Sequence, residues 1–259
     1  MSIVKAEGIV LRSMKMGETS KLVTLFTREH GVLKAIAKGS RTSKSRFGAA
    51  LEPLSVIQIV YYHKESRELQ LLSAADIVET FPNLPADAER WGYACACGEL
   101  VLRTHPGAEA TPKLYPILLD TLRTLNAPGN DGRVCFWALE LKLFGVFGVA
   151  PNLRRCLECE KPAGEVEMAR VHFHAARGGF VCPSCQPGNA GLELSRATLA
   201  LLVDFQRLPA GKVALQSLSE PMRHQIEMFC RAYFDFHLEE VGRLQSLEFV
   251  RELRETHLS

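Results

Sequence analysis

The sequence predicts an α+β protein: a small N-terminal β-barrel, then an α-helical domain into which a four-cysteine, zinc-ribbon-like segment is inserted. Three observations predict this class. Five short runs rich in β-branched residues occupy residues 2–80, the apolar period becomes helical after Phe81, and two C-x2-C pairs stand 22 residues apart. We expect a barrel domain over 1–80, a helical domain over 81–259 and a zinc-binding insertion over 153–190.

The barrel is predicted from five strands and the turns between them. Glu29-His-Gly31 supplies one such turn, because glycine readily adopts a positive φ. Five short strands in the first 80 residues favour a small closed barrel of the OB-fold type. An SH3-like barrel is the alternative, because the apolar periodicity of the strands does not distinguish between the two folds. The predicted strands cover residues 3–11, 21–27, 32–37, 55–62 and 69–78.

The helices are predicted from caps and from apolar spacing. The last long helix carries an apolar stripe at intervals of 4, 3, 4 and 3 residues, from Met222 to Phe236. We interpret that stripe as core packing, with a groove for a partner peptide as the alternative. The predicted starts are Asp87 as a cap, Thr111-Pro112, Phe136, Ser195 as a cap, Ser219 with Pro221, and Leu244.

The two C-x2-C pairs are Cys156 with Cys159 and Cys182 with Cys185. Each pair gives the bite of a zinc knuckle. Between the pairs, Arg177-Gly-Gly179 favours a hairpin of two strands over residues 166–173 and 180–181. Four thiolates complete a tetrahedral shell, so the spacing predicts a structural Zn2+ that folds a segment too small to fold alone. A histidine, His172 or His174, in place of one ligand is the alternative.

The other four cysteines lie in apolar surroundings and are interpreted as small buried hydrophobic residues. A disulfide framework is disfavoured, since the composition and the N-terminus indicate a cytoplasmic protein. Lys5, Glu7 and Arg12 interrupt any secretory signal, and no stretch is apolar enough to cross a bilayer. With 47% apolar and 23% charged residues, the chain is neither disordered nor fibrous.

Positive charge is concentrated in the barrel. Residues 1–50 hold ten of the 31 Lys and Arg residues but three of the 29 Asp and Glu residues, so a near-neutral chain carries a basic N-terminal module. Such asymmetry indicates a polyanion-binding surface, with a solvated face that binds nothing as the alternative. The candidate cations for contacting nucleic-acid phosphates on this barrel domain are Lys21, Lys34, Lys38, Arg41, Lys44 and Arg46, and Arg12 and Lys15 would extend this surface.

Single-stranded nucleic acid is also held by aromatic faces on which bases stack. Phe47 and one of Tyr61 or Tyr62 are the stacking candidates, and strand alternation places the other tyrosine inside the barrel. For each aromatic ring the core interpretation stands equally open.

The sequence contains no catalytic motif, and Lys38-Gly-Ser40 lacks the upstream glycine of a phosphate loop, so we expect no enzyme activity.

The barrel motifs resemble the N-terminal domain of the RecO family of bacterial recombination mediators. They are Gly17-Glu-Thr-Ser-Lys21, Leu25-Phe-Thr-Arg-Glu-His-Gly31, Ala37-Lys-Gly-Ser-Arg41 and Ser45-Arg46. The order of a helical body, a four-cysteine insertion and a closing helical segment is also similar, so the resemblance covers essentially the whole chain. Some members of the family lack the cysteines, whereas this sequence has all four.

The resemblance implies a non-enzymatic protein that binds single- and double-stranded DNA and anneals complementary strands. It implies the partner RecR, the acidic C-terminal tail of single-stranded-DNA-binding protein, help in loading the RecA recombinase, and association with the nucleoid during repair. Two alternatives remain from the residues alone. One is a zinc-ribbon accessory protein of transcription or translation that acts through protein partners, and the other is a metal-dependent nuclease with dispersed carboxylates.

Overall fold

The computed structural model describes residues 2–105, 111–166, 170–185, 190–215 and 217–258. The chain divides into two compact units, of which the first combines residues 1–126 with 243–259 and the second comprises residues 127–242. The first unit contains the barrel, the helices that precede the second unit in the sequence, and the C-terminal helix that follows it. The predicted domain boundary at residue 80 stays a prediction.

The secondary structure is mixed, which confirms the α+β class. The strands are β1 (Ser2–Met16), β2 (Ser20–Thr27), β3 (Gly31–Ala37), β4 (Val56–His63), β5 (Leu69–Glu79), β6 (Arg170–His174), β7 (Gly179–Val181) and β8 (Leu192–Ser195). The α-helices of the described residues are α1 (Ala88–Thr104), α2 (Leu114–Asn126), α3 (Gly132–Val146), α4 (Arg196–Arg207), α5 (Ala210–Ala214), α6 (Glu220–His237) and α7 (Gln245–Leu258).

Strands β1 to β5 close into a barrel in the order β1-β2-β3-β5-β4. Neighbours are antiparallel except β3 and β5, which are parallel. Strand β1 extends to Met16, beyond the predicted end at Leu11, because its first half pairs with β4 and its second half with β2. The turn before β3 uses Gly31 at φ +63°, as predicted.

The barrel core consists of the inward side chains of the five strands and of side chains from the segment that follows β3. The fully buried residues include Val23 and Leu25 on β2 and Ile57 and Ile59 on β4. Phe47, Ala50 and Leu51 join the same core, although they belong to the β3–β4 connection. The connection is therefore fixed on its inner side, whereas Gly48, Ala49 and most of its polar residues lie at the surface.

Three of the α-helices formed by the described residues, α1, α2 and α7, belong to the first unit. Asp87 caps α1 as predicted, with its carboxylate accepting a hydrogen bond from the Arg90 amide. The predicted start of α2 at Thr111-Pro112 is wrong, because the helix begins at Leu114. Pro116 then lies within the first turn, where a missing N–H costs no helical hydrogen bond.

The second unit departs from prediction in several elements. Helix α3 begins at Gly132 rather than Phe136, because the Asp131 carboxylate caps it through the amides of Arg133 and Val134. The hairpin of β6 and β7 is present, with Gly178 at φ +66° in its turn, but β6 begins at Arg170, and residues 167–169 of the predicted strand lie outside the described residues. Strand β8 and helix α5 were not predicted.

The apolar stripe of α6 is core only in its middle. Ile226, Phe229 and Tyr233 are buried, which confirms the packing interpretation for this part. Phe236 is 56% exposed and Met222 is half-buried, so the ends of the stripe were wrongly assigned to the core. The cap at Ser195 is present, because its hydroxyl accepts a hydrogen bond of 3.0 Å from the Thr198 amide.

Candidate functional site

The polar part of the β3–β4 connection, residues 38–46, forms what we call the basic loop. Its four cations, Lys38, Arg41, Lys44 and Arg46, are all exposed. Within the described part of the chain, Lys38 and Lys44 form no ion pair. Their ammonium groups therefore carry positive charge that no ion pair among the described residues offsets.

Arg41 has a different role within the basic loop. Its Nη1 donates hydrogen bonds of 2.9 Å to the carbonyl oxygens of Gly17 and Glu18, and its amide donates one of 2.9 Å to the Thr19 carbonyl. These three acceptors form the β1–β2 turn. Arg41 thus fastens the basic loop to that turn, while its charge stays unneutralised because all three acceptors are uncharged.

Lys21 lies at the same end of the barrel as the basic loop. It pairs in register with Lys15 on β1 and with Ala37 on β3, the residue directly before the basic loop. Side chains opposite each other on neighbouring strands stand about 5 Å apart, so these strands bring Lys15 and Lys21 beside the loop. The Lys21 Nζ lies 2.9 Å from a carboxylate oxygen of Glu52, which offsets part of this charge.

Lys34 lies apart from this group, near the middle of β3. Its neighbours Leu33 and Ala35 belong to the barrel core, so Lys34 faces outward. Its Nζ lies 2.6 Å from a carboxylate oxygen of Glu68. Ion pairs as exposed as this one contribute little to stability, so a phosphate can displace the carboxylate at little cost.

The aromatic candidates are mostly structural. Phe47 is 3% exposed within the barrel core, and the Arg46 guanidinium lies 5.3 Å from its ring centroid. Tyr61 is 2% exposed and Tyr62 is half-buried, so alternation along β4 puts Tyr61 inside. The core interpretation therefore holds for Phe47 and Tyr61, and neither presents a free face for stacking.

The second site is the cysteine cluster, which comprises Cys156, Cys159, Cys182 and Cys185. All four sulfur atoms lie within 4.8 Å of one another, and those of Cys159 and Cys182 are 3.7 Å apart. Four sulfurs at about 2.3 Å from a central zinc ion would stand about 3.8 Å apart, so the spacing fits tetrahedral coordination. All four are free thiols, which agrees with a metal site rather than a pair of disulfides.

Backbone donors favour ionised sulfur in this cluster. Burial opposes ionisation of Cys156, but hydrogen bonds from backbone amides, including those of Cys182 at 3.3 Å and Glu158 at 3.5 Å, outweigh it and lower the pKa of Cys156 to about 6. The neighbouring thiols, Cys182 first, raise the pKa of Cys185 to about 12. Neighbouring thiols of the cluster therefore oppose one another's ionisation. A divalent cation would stabilise all four thiolates together.

The alternative ligands His172 and His174 do not belong to the cluster. Among the described residues, the one group of three or more Cys, His, Asp or Glu side chains placed to hold a metal ion consists of the four cysteines. His172 is paired with Val181 on the β6–β7 hairpin, next to Cys182 in sequence. The hairpin thus positions the second knuckle without adding a histidine ligand.

Of the remaining cysteines, Cys97, Cys135 and Cys230 are buried, as predicted, whereas Cys95 is half-buried. Sequence reasoning missed the partner of one. Cys230 on α6 forms a hydrogen bond with the Glu140 carboxyl on α3, and burial raises the pKa of Glu140 to about 8. The signal was present in the sequence, because Glu140 interrupts the long apolar run from Phe136 to Phe147.

Two family models match this chain. One, described as "Recombination protein O N terminal", matches residues 1–81, and the other, "Recombination protein O C terminal", matches residues 85–248. Among the helices of the described residues, none combines the length and the apolar character needed to cross a membrane.

Similar proteins carry one shared name, "DNA repair protein RecO". The chain is 35% identical over 240 residues to that of Pelotomaculum thermopropionicum, covering 92% of this chain and 91% of the relative. It is 32% identical over 257 residues to that of Anaeromyxobacter sp. strain K, covering 98% of both chains. The protein of Bacillus pumilus is 30% identical over 234 residues, covering 90% of this chain and 88% of the relative.

Proposed function

Because the chain belongs to the RecO family, we propose that it is a non-enzymatic recombination mediator that binds and anneals single-stranded DNA in DNA repair. The observation that carries the proposal is the pair of uncompensated cations, Lys38 and Lys44, on a loop fastened to one end of a five-stranded barrel. Phosphate contacts supply most of the affinity for DNA of any sequence.

The barrel itself supports an OB-fold assignment. It has five strands, a closed order and one parallel pair between β3 and β5, and small barrels of this kind bind oligonucleotides on one face and its flanking loops. The basic loop lies beside Lys15 and Lys21, and Lys34 faces outward on β3. A strand that lies along β3 would meet these cations in succession.

The proposal includes the partners that the family resemblance implies: RecR, the acidic tail of single-stranded-DNA-binding protein, and RecA as the recombinase that is loaded. We also propose that the cysteine cluster holds one structural Zn2+. The bound ion would neutralise four thiolates and join the turn of Cys156 and Cys159 to that of Cys182 and Cys185. Its role is to hold the small β6–β7–β8 segment folded.

The proposed function is tested by annealing complementary oligonucleotides that are precoated with single-stranded-DNA-binding protein, without ATP. We expect this protein to accelerate annealing of the coated strands. A failure with both coated and naked strands would contradict the annealing role and favour a zinc-ribbon accessory protein, for which the cysteine cluster is the supporting observation. Magnesium-dependent loss of the oligonucleotides would instead indicate a nuclease.

The DNA surface is tested by charge reversal in the basic loop. We expect Lys38→Glu with Lys44→Glu to weaken binding and to flatten its salt dependence, because fewer counterions are released. Each lost contact lowers the slope of log K against log salt by about 0.7 for single strands. The matched control is Lys113→Glu, an exposed lysine next to α2. An unchanged slope in the double variant would place the DNA surface elsewhere.

A further inference from the structure

A cavity of about 360 Å³ opens on the barrel at the end of β3 opposite the basic loop. It is bounded by the β2–β3 turn, the start of β3, the end of β4 and the β4–β5 loop, and its walls include His30, Lys34, Tyr61, His63 and Arg67. Its volume is at the lower end of the range for small-ligand sites. The cavity therefore has room for one small ring system.

Aromatic rings form part of the wall. The rings of Tyr61 and His30 contact each other edge-on, with their centroids 6.5 Å apart and an angle of 79° between their planes. The rings of Tyr61 and His63 are also edge-on, with their centroids 6.2 Å apart and an interplanar angle of 86°. Tyr61 is buried, so it holds the two imidazoles in place, whereas His30 is exposed and His63 is half-buried. Histidine is one of the side chains on which unstacked bases pack in nucleic-acid complexes.

Formal charge in the cavity is balanced. Lys34 and Arg67 are matched by Glu65 and Glu68, and the Lys34–Glu68 pair is formed directly at 2.6 Å. A balanced lining does not favour a phosphate inside the cavity, and it suits an uncharged ligand with polar edges. The Nδ1 atom of His63 is buried and has no hydrogen-bond partner among the described residues, so a ligand that offers one would satisfy it.

The cavity wall is held in shape before any ligand arrives. The Gln70 side chain accepts a hydrogen bond of 2.9 Å from the Lys64 amide and donates one of 2.5 Å to the Arg67 carbonyl. Gln70 is 5% exposed, so this clamp fixes the β4–β5 loop from inside. Within the described chain the Arg67 guanidinium makes no ion pair, and as an exposed side chain it is available to a phosphate at the rim.

We propose that this cavity takes one unstacked nucleobase of the DNA strand that lies along β3, an inference that rests on the proposed function. The seven residues of β3 span roughly 20 Å between the cavity and the basic loop, at about 3.3 Å per residue. That span is consistent with a site of a few nucleotides, as small barrels of this kind cover. The base contacts the imidazoles of His30 and His63, and its phosphate meets Arg67.

The test compares a thymidine oligonucleotide with an oligonucleotide of equal length made of abasic units, by fluorescence anisotropy with the full chain. We expect the wild type to bind the base-containing strand about 5- to 150-fold more tightly, the range that stacking of a single base supplies. We expect His30→Ala to lose most of this preference for the base-containing strand, so that it binds the two strands with more nearly equal affinity. His63→Ala is a second variant, and circular dichroism checks that both are folded.

Two controls separate the cavity from the basic loop. Lys44→Glu should weaken binding of both strands equally, and His30→Ala should leave binding of blunt duplex DNA unchanged, because duplex bases remain stacked. If His30→Ala and His63→Ala keep the wild-type ratio while the wild type binds DNA, the cavity proposal is overturned and the proposed function stands. If the wild type binds no oligonucleotide at all, both are overturned.

Discussion

The Nη1 atom of Arg41 lies 2.9 Å from the carbonyl oxygen of Gly17 and donates a hydrogen bond to it. The same nitrogen donates to the Glu18 carbonyl, so one guanidinium clamps the β1–β2 turn to the basic loop. Lys44 lies in the same loop with no such contact among the described residues. Two cations that look alike in the sequence therefore have different structural roles.

Replacing Arg41 should consequently affect stability as well as DNA binding. We expect Arg41→Ala to lower the free energy of unfolding by about 1 kcal/mol, because two side-chain hydrogen bonds to backbone carbonyls are lost. Lys44→Ala should stay within about 0.5 kcal/mol of the wild type. Urea unfolding measures the free energy of unfolding of both variants. Equal values for Arg41→Ala and Lys44→Ala would show that the Arg41 hydrogen bonds do not stabilise the protein in solution.

The cysteine cluster predicts a metal-dependent second unit. We expect the wild type to contain one equivalent of zinc by elemental analysis, and Cys156→Ser with Cys159→Ser to lose it, because two of four thiolates are removed. Loss of about 2 kcal/mol of stability would lower the thermal midpoint by roughly 4–8 °C. Cys95→Ser, outside the cluster, is the control that should retain zinc. A wild type without metal would refute the site.

Much of the fold follows from local sequence, and the differences arise where long-range contacts decide. The five barrel strands were predicted because β-branched runs and turn residues are local signals. The extension of β1 to Met16 depends on pairing with β2, and β8 forms only because β6 offers it an edge. No local pattern contains that information.

The sites divide in the same way. The four cysteines came together as their spacing predicted, because a C-x2-C turn fixes its own bite. The distinction between Arg41 and Lys44 depends on a turn more than 20 residues away in sequence. The cavity beside His30 and His63 joins two loops that only the barrel brings together.

Glu99 fastens the C-terminal helix to α1 within the first unit. Its two carboxylate oxygens accept hydrogen bonds from the amides of Gln245, at 3.0 Å, and Ser246, at 2.9 Å, at the start of α7. Burial opposes ionisation of Glu99, but these amides outweigh it and lower its pKa below the ordinary value of 4.5. The stabilisation is therefore present above pH 4.5 and is lost as the pH falls through the lowered pKa.

We expect Glu99→Gln to reduce the stability of α7 docking by about 1 kcal/mol at pH 7, the usual cost of losing a helix cap. Hydrogen exchange of the α7 amides measures it, and the exchange of the variant should depend less on pH below 4.5. Glu255→Gln, an exposed carboxylate on the same helix, is the control. Unchanged protection in Glu99→Gln would show that α7 is held by its apolar contacts alone.

Glu140 should make the second unit less stable at alkaline pH. Burial raises its pKa to about 8, with a hydrogen bond from Cys230 acting weakly in the opposite direction. A carboxyl whose pKa is raised on folding contributes stability below its unfolded value of 4.5, and that contribution is lost as the pH rises toward 8. Each unit of pKa difference corresponds to about 1.4 kcal/mol, so the total loss is on the order of several kcal/mol.

Replacing the carboxyl by an amide removes this titration. We expect Glu140→Gln to unfold at nearly the same urea concentration at pH 6 and pH 9, whereas the wild type should unfold more easily at pH 9. Glu227→Gln on α6 is the control, because that carboxylate is 62% exposed and should leave the wild-type pH dependence intact. The same pH dependence in Glu140→Gln and the wild type would contradict the assignment of this titration to Glu140.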